Sequence, residues 1–171
     1  MPIPIFLALL VQAAPAEANP LARSLTGDLQ CYMPDAQRKT CHSIASYKRR
    51  ADGGYDNGAT ILLSPQGPVT LETLTLVTVK GEAVCGTIHK SDIDKAKIRF
   101  AGRLLSDTEA APVIARLQQG LAPIIEQEVC TTYVAEADHL VAKATIAGTY
   151  QAALDQPVKW VTPGDNYSVA P

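Results

Sequence analysis

Four cysteines, Cys31, Cys41, Cys85 and Cys130, constrain this chain more than any other feature. What they mean depends on the compartment, and the first eighteen residues bear on that. Ile3 to Val11 is an apolar run, followed by Gln12-Ala13-Ala14-Pro15-Ala16-Glu17-Ala18. The run is shorter than the roughly 20 residues that cross a bilayer. Ala16 and Ala18 sit at the two small-residue positions of a signal-peptidase site, so residues 1–18 read as a secretory signal peptide. No Lys or Arg precedes the run, which is the one departure from that pattern. Export leads to an oxidising setting, where an even number of cysteines reads as disulfides. Four cysteines allow three pairings. Cys31–Cys41 with Cys85–Cys130 is preferred, because the first pair closes a short loop at small entropic cost. The second bridge would join a segment after a hairpin to one after a helix, and its longer loop constrains the unfolded chain more.

The competing use of these residues is a metal site built from Cys85-x3-His89 and Cys41-His42. The sequence has neither a C-x(2–4)-C knuckle nor H-x(3–5)-H, and an oxidising compartment would consume the thiols. C-x-x-C redox chemistry is also absent. No metal and no cofactor are expected.

Without residues 1–18 the 171-residue chain leaves 153, the size of one domain with a proper core. Removing Glu17 leaves 15 basic and 16 acidic residues out of 15 and 17, a net charge of −1. Such near neutrality argues against nucleic acid, whose binding leans on many Lys/Arg–phosphate contacts. No later stretch is long and apolar enough to form an integral membrane segment after signal cleavage.

Along the chain, strand patterns dominate. Cys41 to Arg50 alternates, and "ADGGYDNGAT" breaks it, with Asn57-Gly58 as a type I′ turn signal. Ala59 to Leu63 resumes as a strand, and "SPQGP" ends it. Pro68 to Val79 reads as a long strand whose alternation slips between Val69/Leu71 and Leu74/Leu76, so a bulge near Thr73 is expected. Lys80-Gly81 turns into Ala83 to Ile88. Residues 95–103 place Lys95, Lys97, Arg99 and Arg103 on one face of a strand and Ala96, Ile98 and Phe100 on the other. Ser106-Asp107-Thr108-Glu109 has capping-box spacing, and Val113, Ile114, Leu117, Leu121, Ile124 and Ile125 form an apolar stripe at helical spacing. This predicts one main helix near 107–127, with a kink or a break into two short helices at Pro123. Further strands are expected near Val129–Val134, Leu140–Ala147 and Pro157–Val161. The fold class these elements suggest is α+β: a mainly antiparallel β-sheet, one helix packed on one face, and two disulfides. The domain would be a single exported one over 19–171. A closed barrel or sandwich is the weaker option, because the helix stripe needs a sheet to cover.

Among candidate sites, Lys95, Lys97, Arg99 and Arg103 could meet an anionic partner: an envelope polymer, a lipid head group or an acidic protein. The plainer reading is a solvated face on an edge strand. Arg38 and Lys39, in the loop closed by Cys31 and Cys41, are candidates for contact with a partner. "DGGYDN" fails the EF-hand pattern, since Leu63 stands where the closing Glu belongs. There is no G-x-S-x-G, H-E-x-x-H, P-loop or G-x-G-x-x-G, and "IHKSD" is better read as a capped turn than as a triad. No catalytic residue is assigned. Trp160, the single tryptophan, could stack on a sugar or anchor a partner, but a core position is the simpler reading.

"LQCYMPDAQRKTCHSIASY", "VCGTI" and "LDQPVKWV" resemble segments of small exported bacterial proteins of unknown function. The resemblance implies a Gram-negative periplasmic or secreted setting and carries no activity. The leading functional expectation is a non-enzymatic binding or interaction protein of the cell envelope. Two alternatives stay open: a small secreted hydrolase with a dispersed active site, and a protease-inhibitor-like module using the Cys31–Cys41 loop.

Overall fold

The computed structural model describes residues 19–137 and 139–171. The expected signal peptide, residues 1–18, lies outside them. Eight segments rich in Val, Thr and Ala become strands: β1 (Leu29–Tyr32), β2 (Ser43–Arg49), β3 (Tyr55–Ser64), β4 (Val69–Lys80), β5 (Ala83–Thr87), β6 (Glu128–Glu136), β7 (His139–Ile146) and β8 (Gln156–Val161). Each pairs antiparallel with the next in the chain. The last then returns to the first, with Leu29 opposite Val161 and Tyr32 opposite Val158. The outcome is a closed up-and-down barrel of eight antiparallel strands.

This corrects the expectation of an α+β domain with an open sheet under a helix. A sheet that closes on itself turns its apolar face inward and needs no helix to cover it. Helix α1 (Lys90–Asp94) and helix α2 (Asp107–Leu121) both lie in the excursion 88–127 between β5 and β6. The expected capping box forms: the Ser106 hydroxyl accepts from the Glu109 backbone N–H, and the Glu109 carboxylate accepts from the Ser106 N–H at 2.9 Å. Yet no residue of α2 is buried, so its apolar stripe is not a core face. The helix stops at Leu121, and Pro123 falls in the following turn, where Ile124 and Ile125 both donate to the Leu121 carbonyl. There is therefore no kink.

Three local expectations also change. Asn57-Gly58 lies in the middle of β3, paired on one side with Tyr47 and Ser46 and on the other with Thr75 and Leu74. Ladder bonds on both edges outweigh the local turn preference. The turn itself is made at 50–54, where Gly53 takes φ 88° and Asp52 accepts from the Gly54 N–H. No bulge occurs at Thr73; pairing runs unbroken from Leu62–Thr70 to Tyr55–Val77, and the register shifts between Leu62 and Ser64 instead. The apparent slip has another cause. Thr73 and Thr75 point into the barrel, while Leu74 and Leu76 point outward, 58% and 56% exposed. Finally, the basic segment is a strand only over Lys97–Phe100, ended by a turn in which Ala101 and Gly102 take φ of 47° and 81°.

Both disulfides have the preferred pairing. Cys85 and Cys130 stand directly opposite each other on β5 and β6, with Cα atoms 4.0 Å apart. The bridge thus holds together two barrel neighbours that the 88–127 excursion separates in sequence. Cys31 of β1 bonds Cys41, whose short strand Thr40–Cys41 also pairs in parallel with Ser168–Val169 of the tail. The buried core of the barrel is the cluster of Leu21, Ala45, Tyr47, Tyr55, Val77, Val84 and Trp160. Leu21, fully buried, enters from the N-terminal turn, where Asn19 Nδ2 donates to the Tyr55 hydroxyl at 2.9 Å. Trp160 is a core residue here, and Arg23 covers its ring at 5.9 Å.

Candidate functional site: the barrel cavity

Beside this cluster, and sharing Tyr47, Val77 and Val84 with it, part of the interior is not filled. A cavity of about 230 Å³ remains, walled by inward residues of β1 to β6. An eight-stranded barrel is just wide enough to be filled by side chains or to hold one small ligand, so an unfilled space is a choice of side chains. Two of those choices are the inward Thr73 and Thr75, set in the phase where Leu71 and Val77 are apolar. Another is Gly86, opposite Val77. A Cβ there would come within 2.8 Å of both Val77 Cγ1 and the Leu76 carbonyl, so no side chain can enter the cavity from that point.

The polar side of the cavity is organised by a residue behind it. Gln30 is fully buried between Ala45 and Trp160 on the neighbouring strands. Its Oε1 accepts from three hydroxyls: Tyr47 at 2.7 Å, Tyr32 at 2.9 Å and Tyr133 at 3.0 Å. The Tyr32 and Tyr133 hydroxyl oxygens are themselves 3.0 Å apart. One amide thereby orients three rings that reach the cavity from β1, β2 and β6. Burial, then the neighbouring Tyr47 and Tyr133, holds the Tyr32 hydroxyl well above the usual phenol range. Burial and Tyr133 do the same for Tyr47. Both therefore act as neutral hydrogen-bonding groups. Two buried polar atoms nearby lack any partner, Gln30 Nε2 and Asn57 Oδ1. Asn57 lines the cavity beside Tyr47, its partner across the β2–β3 ladder. Unpartnered buried polar atoms are uncommon, and each costs about 1–3 kcal/mol.

Every residue lining the cavity is uncharged. The arrangement holds no nucleophile–base pair and suits retention of a small neutral molecule. Among the described residues, Cys85, Glu128 and Cys130 have metal-ligand spacing, but both thiols are tied up in the disulfide.

The residues singled out by sequence lie elsewhere, and the structure does not gather them into one face. Lys95 caps the C-terminus of α1, Lys97 opens the short strand, Arg99 pairs with Glu72, and Arg103 grips both Glu109 oxygens at 3.0 and 3.2 Å. Lys95 and Lys97 border a shallow depression with Glu72, Asp92 and the exposed Leu74 and Leu76. In the first cysteine loop, Arg38 donates to Asp35 at 2.8 Å and to the Pro171 carbonyl at 2.9 Å. Lys39 lies over the Tyr167 ring at 5.0 Å. Tyr32, Tyr47, Thr73, Thr75 and Tyr133 on the cavity wall, and Gln30 behind it, were not candidates from sequence, and Asn57 entered only through the calcium pattern and the turn signal. The one available signal was the threonine pair in the apolar phase of β4, read as a bulge.

Fold and cavity together define a class: a disulfide-stapled, up-and-down antiparallel barrel with a neutral, part-polar interior. Comparison with protein-family models, curated proteins and solved structures finds no match, so the chain's own geometry has to carry its functional reading.

Proposed function

We propose that this protein is an exported, non-enzymatic binding protein that holds a small uncharged molecule inside its barrel. The observation that carries the reading is the inverted pattern of β4. Burying a leucine contributes roughly 1.5–3 kcal/mol. A barrel built only for stability would carry large apolar side chains at the inward positions 73 and 75, in phase with Leu71 and Val77, yet Thr73 and Thr75 stand there beside an unfilled space while Leu74 and Leu76 face out. The two disulfides support an oxidising compartment, the periplasm or the exterior. Among the described residues no helix is long and apolar enough to cross a membrane.

The test is a thermal-shift series with phenol, indole, naphthalene and benzofuran on the mature protein and on a Thr73→Leu/Thr75→Leu variant, whose larger side chains fill the cavity. At least one compound should raise the melting temperature of the parent and leave the filled variant unmoved. No shift with any of them, or equal shifts in both proteins, would refute the reading.

A second reading concerns the outer wall. Lys95 and Lys97 make no ion pair among the described residues and flank two exposed leucines, a surface suited to an anionic envelope polymer or a protein partner. A Lys95→Glu/Lys97→Glu variant should recover less material from envelope extract than the parent. Equal recovery removes this surface from consideration.

A further inference from the structure

Outside the barrel, helix α2 borders a groove that no described residue fills. Polar contacts hold the helix in place: Glu109 accepts from Arg103 and from the Ser106 N–H at its start, and Asp94 accepts from Gln118 on its flank. The apolar side of the helix is left open, and none of its residues is buried. Between it and the β3–β4 hairpin runs a groove of about 520 Å³, with Val113, Leu117 and Leu121 on the helix side and Leu63 and Val69 on the barrel side. It shares no lining residue with the barrel cavity. Two of its residues have no use within the described chain. Gly120 lies inside the helix, where glycine is less favourable than alanine, yet a Cβ there would meet nothing within 4 Å. No contact of the fold requires that bare backbone, whereas a molecule lying close against it would. Arg116 is exposed on the groove and makes no ion pair, hydrogen bond or ring contact among the described residues. It is the one charged residue of the lining.

We infer that this groove is a second binding site, for a free single-chain amphiphile whose aliphatic tail lies along Val113, Leu117 and Leu121 and whose anionic head meets Arg116. The walls are leucine and valine, with no aromatic ring to stack on, so they suit an aliphatic chain held by burial alone. The open backbone at Gly120 suits the same thin chain. An anionic head complements the unpaired guanidinium, and a charge-assisted hydrogen bond to it would fix the direction of the tail. A membrane surface suits the helix less. Helices that lie on anionic lipid are rich in Lys and Arg, whereas α2 sets Arg116 against Asp107 and Glu109.

Laurate and dodecyltrimethylammonium test the site together, because they share a tail and differ in the sign of the head. Titration calorimetry below the micelle concentration, on the mature, disulfide-intact protein, should find laurate tighter by about tenfold, the effect of exchanging an exposed attraction for a repulsion. Arg116→Glu should reverse that order. Gly120→Leu fills the groove with a better helix former, so it should raise the melting temperature by about 2–4 °C and abolish laurate binding. The barrel-filled Thr73→Leu/Thr75→Leu variant should bind laurate as the parent does. Laurate binding that survives Gly120→Leu, or that is lost in the barrel-filled variant, would overturn the proposal. So would equal affinity for the two heads, or no binding of either. A lowered melting temperature for Gly120→Leu would show that the fold itself needs the glycine, and the reversal by Arg116→Glu stands as a test even then. Self-association, or binding to phosphatidylglycerol vesicles, that Leu117→Glu abolishes would give the groove to a second copy or to a membrane and overturn the proposal as well.

Discussion

Replacing Gln30 by methionine distinguishes two views of the buried cluster. Gln30→Met keeps the length and much of the volume of the side chain but removes the acceptor of three hydroxyl bonds at 2.7, 2.9 and 3.0 Å. Counting each bond at a net of about 1 kcal/mol, the loss would be about 3 kcal/mol. The geometry argues for less. Tyr133 lies 3.0 Å from the Tyr32 hydroxyl and 3.4 Å from that of Tyr47, so two of the three protons can be re-accepted within the cluster. Only one proton is stranded, at about 1–3 kcal/mol, and that cost is offset by removing the orphaned Nε2, a penalty of the same size. The expected net loss is therefore the one bond not replaced, about 1 kcal/mol. Urea unfolding at neutral pH, read by tyrosine and tryptophan fluorescence, measures it as a shift in midpoint at unchanged slope. A loss of 3 kcal/mol or more would refute the reasoning and show that the hydroxyls cannot re-pair.

The two disulfides should differ in worth, since the chain-entropy model scales with loop length. Sequence separations of 45 and 10 correspond to about 4 kcal/mol for Cys85–Cys130 and about 3 kcal/mol for Cys31–Cys41. Paired Cys→Ala variants compared by urea unfolding should show that order, and a larger loss for the short loop would contradict it. A pH effect is expected at the start of α2. The Arg103 guanidinium, then the Ser106 N–H and hydroxyl, lower the Glu109 carboxyl from an ordinary value near 4.5 to about 2. A depressed carboxylate contributes stability above its ordinary value and loses it as the pH falls through the depressed one. Carbon-13 titration of Glu109 should thus give a midpoint near 2, and Arg103→Gln should move it up towards 4.5. A midpoint already near 4.5 in the parent would mean the pair does not persist in solution.

Much of the local structure was legible in the sequence. Alternation marked the strands that become β4 to β8 to within a few residues. Lys80-Gly81 marked a hairpin, with Gly81 at φ 59°, and Ser106 to Glu109 marked the start of the main helix. Where local reading failed, a long-range partner had decided the matter. Asn57-Gly58 has strong turn chemistry, but β2 and β4 flank it and take its backbone into both ladders. The α2 stripe looked like a core face because helical periodicity reports amphipathicity without saying what covers it. The basic residues looked like one surface because period two ignores a turn at Ala101-Gly102 and the carboxylates of Glu72 and Glu109.

By itself, the sequence determined most of the extended segments and the turn at Lys80-Gly81, and it favoured Cys31–Cys41 with Cys85–Cys130 among three pairings. These are matters of neighbours, spacing and loop entropy, and short-range terms suffice for them. Closure was decided only in three dimensions, because the seam between β1 and β8 joins residues such as Leu29 and Val161 across nearly the whole described chain. Closure then decides everything about the site. Until the sheet has an inside, Thr73 and Thr75 are a broken pattern, Gln30 is one polar residue among many, and Tyr32, Tyr47 and Tyr133 have no reason to meet.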